Sequence, residues 1–559
     1  MNRRDFLRTS TAASGVLLQQ PSKASGPLAS QAAGVPILRV PDLVTARYAM
    51  TDVRSLHRTG SQWSLGKTLV TTDPRGAASG IEIPILVEAE PGLTFLHLRW
   101  KGKTSEKLLC LGDAWERSYG DLEWRYTAPE RPMPWYFLTT DGATTSGYGV
   151  LTGPAAFCLW QRDAEGISLT LDLRNGGDAA ALSGRQLHAC TVVSMQGAAD
   201  EPIHIVAERF CRLMCTSPKL PKEPIFGSND WNYAYGQNTA EGILRDADLV
   251  AFLAGASSTY RPYTVIDDGY QDATRFPDMA ALAQQIRKRR VKPGIWIRPL
   301  RAGSDAKQSL LLPAARFGKH DEGPAFDPTL PEALTIVEDT VRTPVQWGFE
   351  LIKHDFSTWE LFGRWGSQMG ALVTTPGWSF HDRSRTNAEI VGDLYRAIRG
   401  AAGDQTLILG CNTISHIAAG IFESQRITDD TSGREWERTR RFGVNGLAQR
   451  IAQHRTFYHV DPDIVAVTPQ VPWEKTRQWL DAVARSGTSL FVAPDPAAMT
   501  DDARRAIQEA FVLVQKSRGG QPEDPTCSLV PNAWLFNNPE TKKRYDWVGP
   551  EGAGPFLTV

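Results

Sequence analysis

Eight short apolar runs between residues 226 and 492 constrain this chain more than any other feature. They fall at 226–231, 263–266, 294–297, 349–352, 406–409, 420–422, 456–459 and 489–492. Longer stretches of helical periodicity, such as 239–253 and 280–290, separate most of them. Short apolar runs between helices read as buried parallel strands. Eight such units predict an α/β chain closed as a (β/α)8 barrel over residues 225–515. An open doubly wound sheet also alternates, but no GxGxxG turn follows the first run. The fourth unit is longer than the rest and carries an inserted loop around residues 362–382 whose role the sequence leaves open.

Before the barrel the period changes. Ile81, Ile83, Ile85, Val87 and Ala89 alternate with other residues, as do Ile167, Leu169, Leu171 and Leu173. Period-two alternation between turn signals predicts an antiparallel β-sandwich over residues 36–220. A helical stretch at 203–214 then leads into a stiff linker with Pro218, Pro221 and Pro224. Residues 519–559 hold short β-like runs at 527–530, 533–536 and 545–547, too little for a sandwich of their own. The chain opens on Arg3-Arg4, then Phe6-Leu7 and a mild segment rich in small residues. Residues 1–32 resemble a twin-arginine export signal, which implies a periplasmic or secreted protein. The segment is too short and polar to span a bilayer. A formal charge of -1 gives no footprint for nucleic acid or an anionic membrane surface. The seven cysteines are odd in number, so at least one is unpaired within the chain, and no CxxC or zinc-like spacing occurs.

Catalytic side chains of such barrels come from the C-terminal ends of the strands. Asp267-Asp268 follow the second run, and Lys353-His354-Asp355 the fourth. Cys411 follows the fifth, Arg426 to Asp429-Asp430 the sixth, Asp461 and Asp463 the seventh, and Asp495 the eighth. One such Asp reads equally well as a helix N-cap. Acids after five of eight runs do not, because clustered carboxylates repel. Such a wall suits divalent-metal binding, or recognition of sugar hydroxyls with attack at an anomeric carbon. Lys353 and Arg426 sit where a metal would compete with them, which favours the second. Glycoside cleavage needs two carboxyls, one attacking and one protonating the leaving oxygen, and calls for no cofactor or metal.

The ordered set Val265-Ile266-Asp267-Asp268-Gly269-Tyr270, Gly294-Ile295-Trp296, Leu351-Ile352-Lys353-His354-Asp355, Arg426-Ile427-Thr428-Asp429-Asp430 and Asp461-Pro462-Asp463 resembles the melibiase-type α-galactosidases of glycoside hydrolase clan D. Family thirty-six, with a β-supersandwich before the barrel, is the better match. The resemblance implies a retaining, exo-acting α-galactosidase acting on an oligosaccharide or glycoside. Asp355 becomes the nucleophile and Asp430 the acid/base, with Asp429 beside it as the rival. Asp267, Asp268, Lys353 and Arg426 become sugar-binding residues, Trp231 and Trp296 aromatic walls, and Cys411 a pocket-lining thiol or a plain core residue. The C-terminal β piece is shorter than the family's, and His459-Val460 before Asp461 departs from its motif. Clan relatives acting on α-N-acetylgalactosamine, β-L-arabinopyranose or α-glucose stay open as alternatives, as does an oligomer. A Schiff-base aldolase using Lys353 is disfavoured by Asp355 two residues away on the same strand face. A non-catalytic sugar-binding protein predicts a missing carboxylate, and both are present. Replacing Arg3-Arg4 by two lysines is expected to leave full-length precursor in the cytoplasm on fractionation. Unchanged export would show that residues 1–32 are not a twin-arginine leader.

Overall fold

The computed structural model describes residues 38–554, apart from 50, 78–79, 319–322, 538–539 and 551. The expected leader at 1–32 lies outside them. The alternating segments form two antiparallel sheets, one of six strands and one of nine. The ten-residue strands Gly80–Ala89 and Leu187–Gln196 pair at the centre of the larger sheet. In the smaller sheet Gly166–Asp172 lies between Phe157–Asp163 and Phe95–Lys101. Their inward residues meet across the sandwich: Phe137 of the larger sheet packs on Trp160 of the smaller, ring centroids 5.8 Å apart. Helix Ile203–Met214 buries Val206, Phe210 and Met214, and Phe210 lies over Gly147 and Gly149 of the larger sheet.

Beyond the linker lies a curled, wholly parallel sheet of nine strands. In ladder order these are His459–Asp461, Ser424–Arg426, Leu407–Gly410, Leu351–His354, Lys292–Ile297, Tyr263–Ile266, Phe226–Asn229, Leu490–Pro494 and Val465–Val467. The two outermost strands are consecutive in the chain, so the seventh strand is split in two, and the run expected at 456–459 meets its first half only at His459. Pro462 has no amide to donate, and Asp463 takes a left-handed φ of 74°. One half of the split strand pairs with Ser424–Arg426 and the other with Leu490–Pro494. The Ser489 amide donates to the Val460 carbonyl at 2.9 Å across the gap. Gly227 permits close approach of the first two strands: a Cβ there would lie 1.9 Å from the Tyr263 oxygen. Helices begin on side-chain caps, Thr239 for Ala240–Ala254 and Thr386 with Glu389 reciprocally for Asn387–Ala402.

Several expected runs shift, the fourth strand being Leu351–His354 rather than 349–352. The sixth strand is Ser424–Arg426, not 420–422. Its polar residues are buried and paired, Ser424 Oγ donating to the His459 carbonyl and Gln425 Oε1 accepting from Thr413, so it does not read as apolar. Trp231 starts the short helix Trp231–Ala234 rather than ending a strand. At the C-terminus the strands are Gly520–Pro522, Ala533–Asn537 and Glu540–Arg544. Segments 527–530 and 545–547 are not strands. Tyr545 and Trp547 are instead buried rings, Trp547 stacking on Trp436 at 6.4 Å. All seven cysteines are free thiols, and six of them are buried.

The sandwich is joined to the parallel sheet by backbone and charge. The Ser118 amide donates to the Ile427 carbonyl at 2.9 Å, and the Asp429 amide donates to the Ser118 carbonyl at 2.7 Å. The insert packs against the sandwich. The Gly366 amide donates to Glu116 at 2.8 Å, Trp115 Nε1 to the Gly370 carbonyl at 2.9 Å, and the Phe380 amide to Asn175 Oδ1 at 2.9 Å. Arg450, 1% exposed, pairs with the buried Asp113 at 2.9 Å. It also donates to the carbonyls of Glu116 and Ile427 at 2.7 and 2.9 Å. Arg450→Ala leaves Asp113 and two carbonyls buried without their cation. A loss of about 3–5 kcal/mol in denaturant-derived stability is expected. A loss below about 1 kcal/mol would mean that this pair does not tie the sheets together.

Candidate active site

The strand Leu351–His354 delivers Asp355 at its C-terminal end, where the Asp355 amide donates to the Ile297 carbonyl at 3.0 Å. The next residue, Phe356, has a left-handed φ of 68°. Backbone strain of this kind concentrates at functional sites. It aims the Phe356 amide at Asp355 Oδ1, 2.8 Å away. From the neighbouring strand, Trp296 Nε1 donates to Asp355 Oδ2 at 3.0 Å. Both oxygens of Asp355 are thus oriented by donors that cannot rotate away.

Lys353, two residues earlier on the same face, is buried and meets Asp267 Oδ2 at 2.7 Å. Asn229 Nδ2 donates to the same oxygen at 2.9 Å. Burial alone pushes the Lys353 ammonium down, but Asp267 and the neighbouring anions outweigh it, so the lysine stays charged. The Asp267 amide donates to Asp230 Oδ1 at 2.8 Å. Burial, and then the Asp267 charge, raise the Asp230 carboxyl to about 7. Asp268 is half-buried, its Oδ1 accepting from the Gly269 amide at 3.0 Å, and it forms no ion pair among the described residues.

Arg426, 2% exposed, is ringed by carboxylates. It meets Asp430 Oδ1 at 3.0 Å and Asp461 Oδ2 at 3.4 Å, and it contacts Asp463 Oδ1. Asp461 and Asp463 flank the break in the seventh strand. The break therefore turns two carboxylates on to one guanidinium. Cys411 is buried in the field of Lys353, Arg426 and Asp355, and burial pushes its thiol well up, so it is neutral. Trp231 is half-buried and packs on the apolar cluster that contains Val265, Cys411 and Phe491. Asp495 is an ordinary cap that accepts from the Ala497 amide at 2.9 Å, so it leaves the acid set.

Sequence reasoning missed the sandwich's share of this site. Arg117 meets Asp429 at 3.1 Å and Asp430 at 3.2 Å. Arg438 holds the other oxygen of Asp429 at 3.2 Å. Burial raises the Asp430 carboxyl, but Arg117, Arg426, Lys353 and Arg438 more than offset this and bring it down to about 2. Asp429 moves the other way, raised by burial and by the Asp430 charge against the pull of Arg117 and Arg438. Arg298 stacks over the Phe356 ring at 4.0 Å and binds Glu360 at 2.9 Å. The only sequence cue to Arg117 is the mixed Trp115-Glu116-Arg117-Ser118-Tyr119 cluster, 313 residues from Asp430. Among the described residues no group of three or more His, Cys, Asp or Glu is arranged to hold a metal ion.

No family profile and no curated protein matches this sequence. Solved structures do match its fold. An α-galactosidase from Thermus thermophilus, solved with p-nitrophenyl α-D-galactopyranoside, superposes with a TM-score of 0.60 at 17% identity, over 86% of this chain and 97% of that one. The GH36 α-galactosidase AgaA from Geobacillus stearothermophilus, solved with 1-deoxygalactonojirimycin, gives 0.56 at 12% identity, over 85% and 72%. This chain has the fold of the GH36 α-galactosidases. The galactosidase domain of an α-galactosidase–sucrose kinase gives 0.52 at 14% identity, over 86% of this chain and 74% of that one.

Lys353→Met removes the only cation bonded to Asp267 among the described residues and leaves that carboxylate buried beside Asp230. A stability loss of about 3–5 kcal/mol is expected at pH 7. Urea unfolding checks this, and a loss below about 1 kcal/mol would contradict the charge-based account.

Proposed function

We propose that this chain is a retaining, exo-acting α-glycosidase, with terminal α-linked galactose as its sugar. One observation carries the reading. Asp355, its oxygens held by Trp296 Nε1 and the Phe356 amide, shares one charged network with Lys353, Arg426 and Asp430. The GH36-like fold, whose solved examples include complexes with p-nitrophenyl α-D-galactopyranoside and 1-deoxygalactonojirimycin, supports a glycoside hydrolase and this choice of sugar. In this reading the parallel sheet is a (β/α)8 barrel with a broken seventh strand. The leader makes the enzyme periplasmic or secreted.

Asp355 attacks the anomeric carbon as a carboxylate, and its two donors fix the attacking geometry without neutralising it. Asp430 protonates the leaving oxygen, then withdraws a proton from the water that releases the sugar with its configuration retained. Asp267, Asp268, Lys353 and Arg426 bind hydroxyls. Such bonds strengthen as charge develops on the ring, so they act on the transition state more than on the ground state. Trp231 and Trp296 supply apolar walls for the sugar's C–H faces.

A panel of nitrophenyl glycosides followed by proton NMR tests the reading, and the α-anomer of galactose should appear first. Asp355→Ala should abolish turnover on every substrate, with azide restoring it and inverting the product. Asp430→Ala should spare the first step for nitrophenyl substrates, which need little protonation, and strongly slow it for alkyl galactosides. If Asp429→Ala shows that second pattern instead, the acid/base lies one residue earlier. A first-formed β-anomer would rule out retention.

A further inference from the structure

The sandwich reaches the proposed acid/base directly. Residues 116–119 lie beside 427–429, fixed by the two backbone hydrogen bonds of Ser118. This register sets Arg117 opposite the Asp429-Asp430 pair, one nitrogen on each carboxylate. The Arg117 side chain is 8% exposed. Its guanidinium sits 5.5 Å from the Trp365 ring of the insert and 5.7 Å from the Tyr119 ring. Trp365 in turn packs on Trp359 and on Phe356, the residue after Asp355. The insert therefore forms one wall of the space that Arg117 occupies.

The contact has a chemical consequence. Arg117 and Arg426 both meet Asp430 at Oδ1, so Oδ2 is the oxygen left to give a proton to a leaving group. A carboxyl that must give up a proton is placed between two fixed cations, which favour its ionised form. Of the two, Arg426 is also held by Asp461 and Asp463. Among the described residues Arg117 forms ion pairs only with Asp429 and Asp430, its Nε donating to the neutral Tyr119 hydroxyl at 3.5 Å, so it is the one able to shift its weight from one carboxylate to the other. We propose that Arg117 is a positioning residue of this site, which governs when Asp430 carries the proton that the leaving oxygen needs. This rests on the glycosidase reading above. Shifted towards Asp429, Arg117 releases Asp430 to hold a proton. Bonded to both, it keeps Asp430 ionised, the form that takes a proton from water in the second step. The other charged groups facing Asp430 are Arg426, Lys353, Arg438, Asp429 and Asp463. The titratable groups facing Arg117, besides the acid pair, are Glu116, Tyr119 and Cys411.

The test is a carboxyl titration by carbon-13 NMR of the full chain labelled at aspartate, with the Asp430 resonance assigned through Asp430→Asn. Arg117→Met keeps an apolar stem against Trp365 and removes the charge. Arg117→Gln is the second variant should the first fail to show a cooperative melt. Either should raise the Asp430 midpoint by about one pH unit or more, and Arg117→Lys should return it most of the way. An unmoved midpoint overturns the proposal. On methyl α-galactoside the alkaline limb of kcat/KM should move up with the midpoint, while the limb on a nitrophenyl galactoside moves less. A raised midpoint with no turnover of any glycoside, even by the unaltered protein, would sink the glycosidase reading and leave the electrostatic coupling standing. Turnover with coincident limbs would show that Arg117 does not control the acid.

Discussion

Arg426 is the group on which the arrangement of this site depends. A guanidinium this deeply buried is tolerable only with its charge met by carboxylates in good geometry. The chain meets it by breaking a strand. A continuous seventh strand would point Asp461 and Asp463 to the same face but at fixed strand spacing along the sheet. Pro462 and the left-handed Asp463 fold that spacing inward, so both carboxylates converge on one side chain. The Asp463 amide donates to Asp461 Oδ1 at 3.1 Å, which locks the turn. The interruption in the parallel ladder and the placement of Asp430 therefore have one cause.

The parallel strands were legible where their apolar residues are buried by periodicity alone. Leu351–His354 and Tyr263–Ile266 are examples, and the helix at 203–214 was read in full. Ser424–Arg426 was not, because its burial rests on side-chain hydrogen bonds and ion pairs that no hydropathy pattern reports. The site residues at strand ends could be found because a parallel sheet gathers its C-terminal ends on one side, whatever the details of the loops. Arg117 could not be found this way. Its place depends on how one sheet system docks on another, and nothing in local spacing encodes that. Asp495 shows the opposite error, a strand-end acid whose work is to cap a turn.

The insert at 362–382 shows why the two sheet systems are best treated as one working unit. Its bonds to Glu116, Trp115 and Asn175 tie it to the sandwich. Its ring contacts through Trp365 reach Phe356 beside the proposed nucleophile. Loops that join two rigid scaffolds lose less conformational entropy on binding than loops anchored on one. A wall built this way keeps its shape when a ligand arrives.

Charge balance connects these features. In the proposed reading the ligand is a neutral sugar that brings no counter-charge, so the carboxylates of the site must be balanced by the protein itself. Lys353 answers Asp267, Arg426 answers Asp461 and Asp463, and Arg438 answers Asp429. Asp355 is held by neutral donors, an indole and an amide, and Asp268 by the Gly269 amide. In the proposed mechanism a direct cation would weaken Asp355 as a nucleophile, whereas neutral donors orient it at less cost. Asp430 receives the surplus, two arginines on one oxygen, one of them from a different part of the chain. In the proposed mechanism, the group that changes protonation state twice in each turnover is thus the one whose electrostatic environment is assembled from both sheet systems. On that mechanism, a small change in how the sandwich meets the parallel sheet would act on the proton transfer before it disturbed the attack.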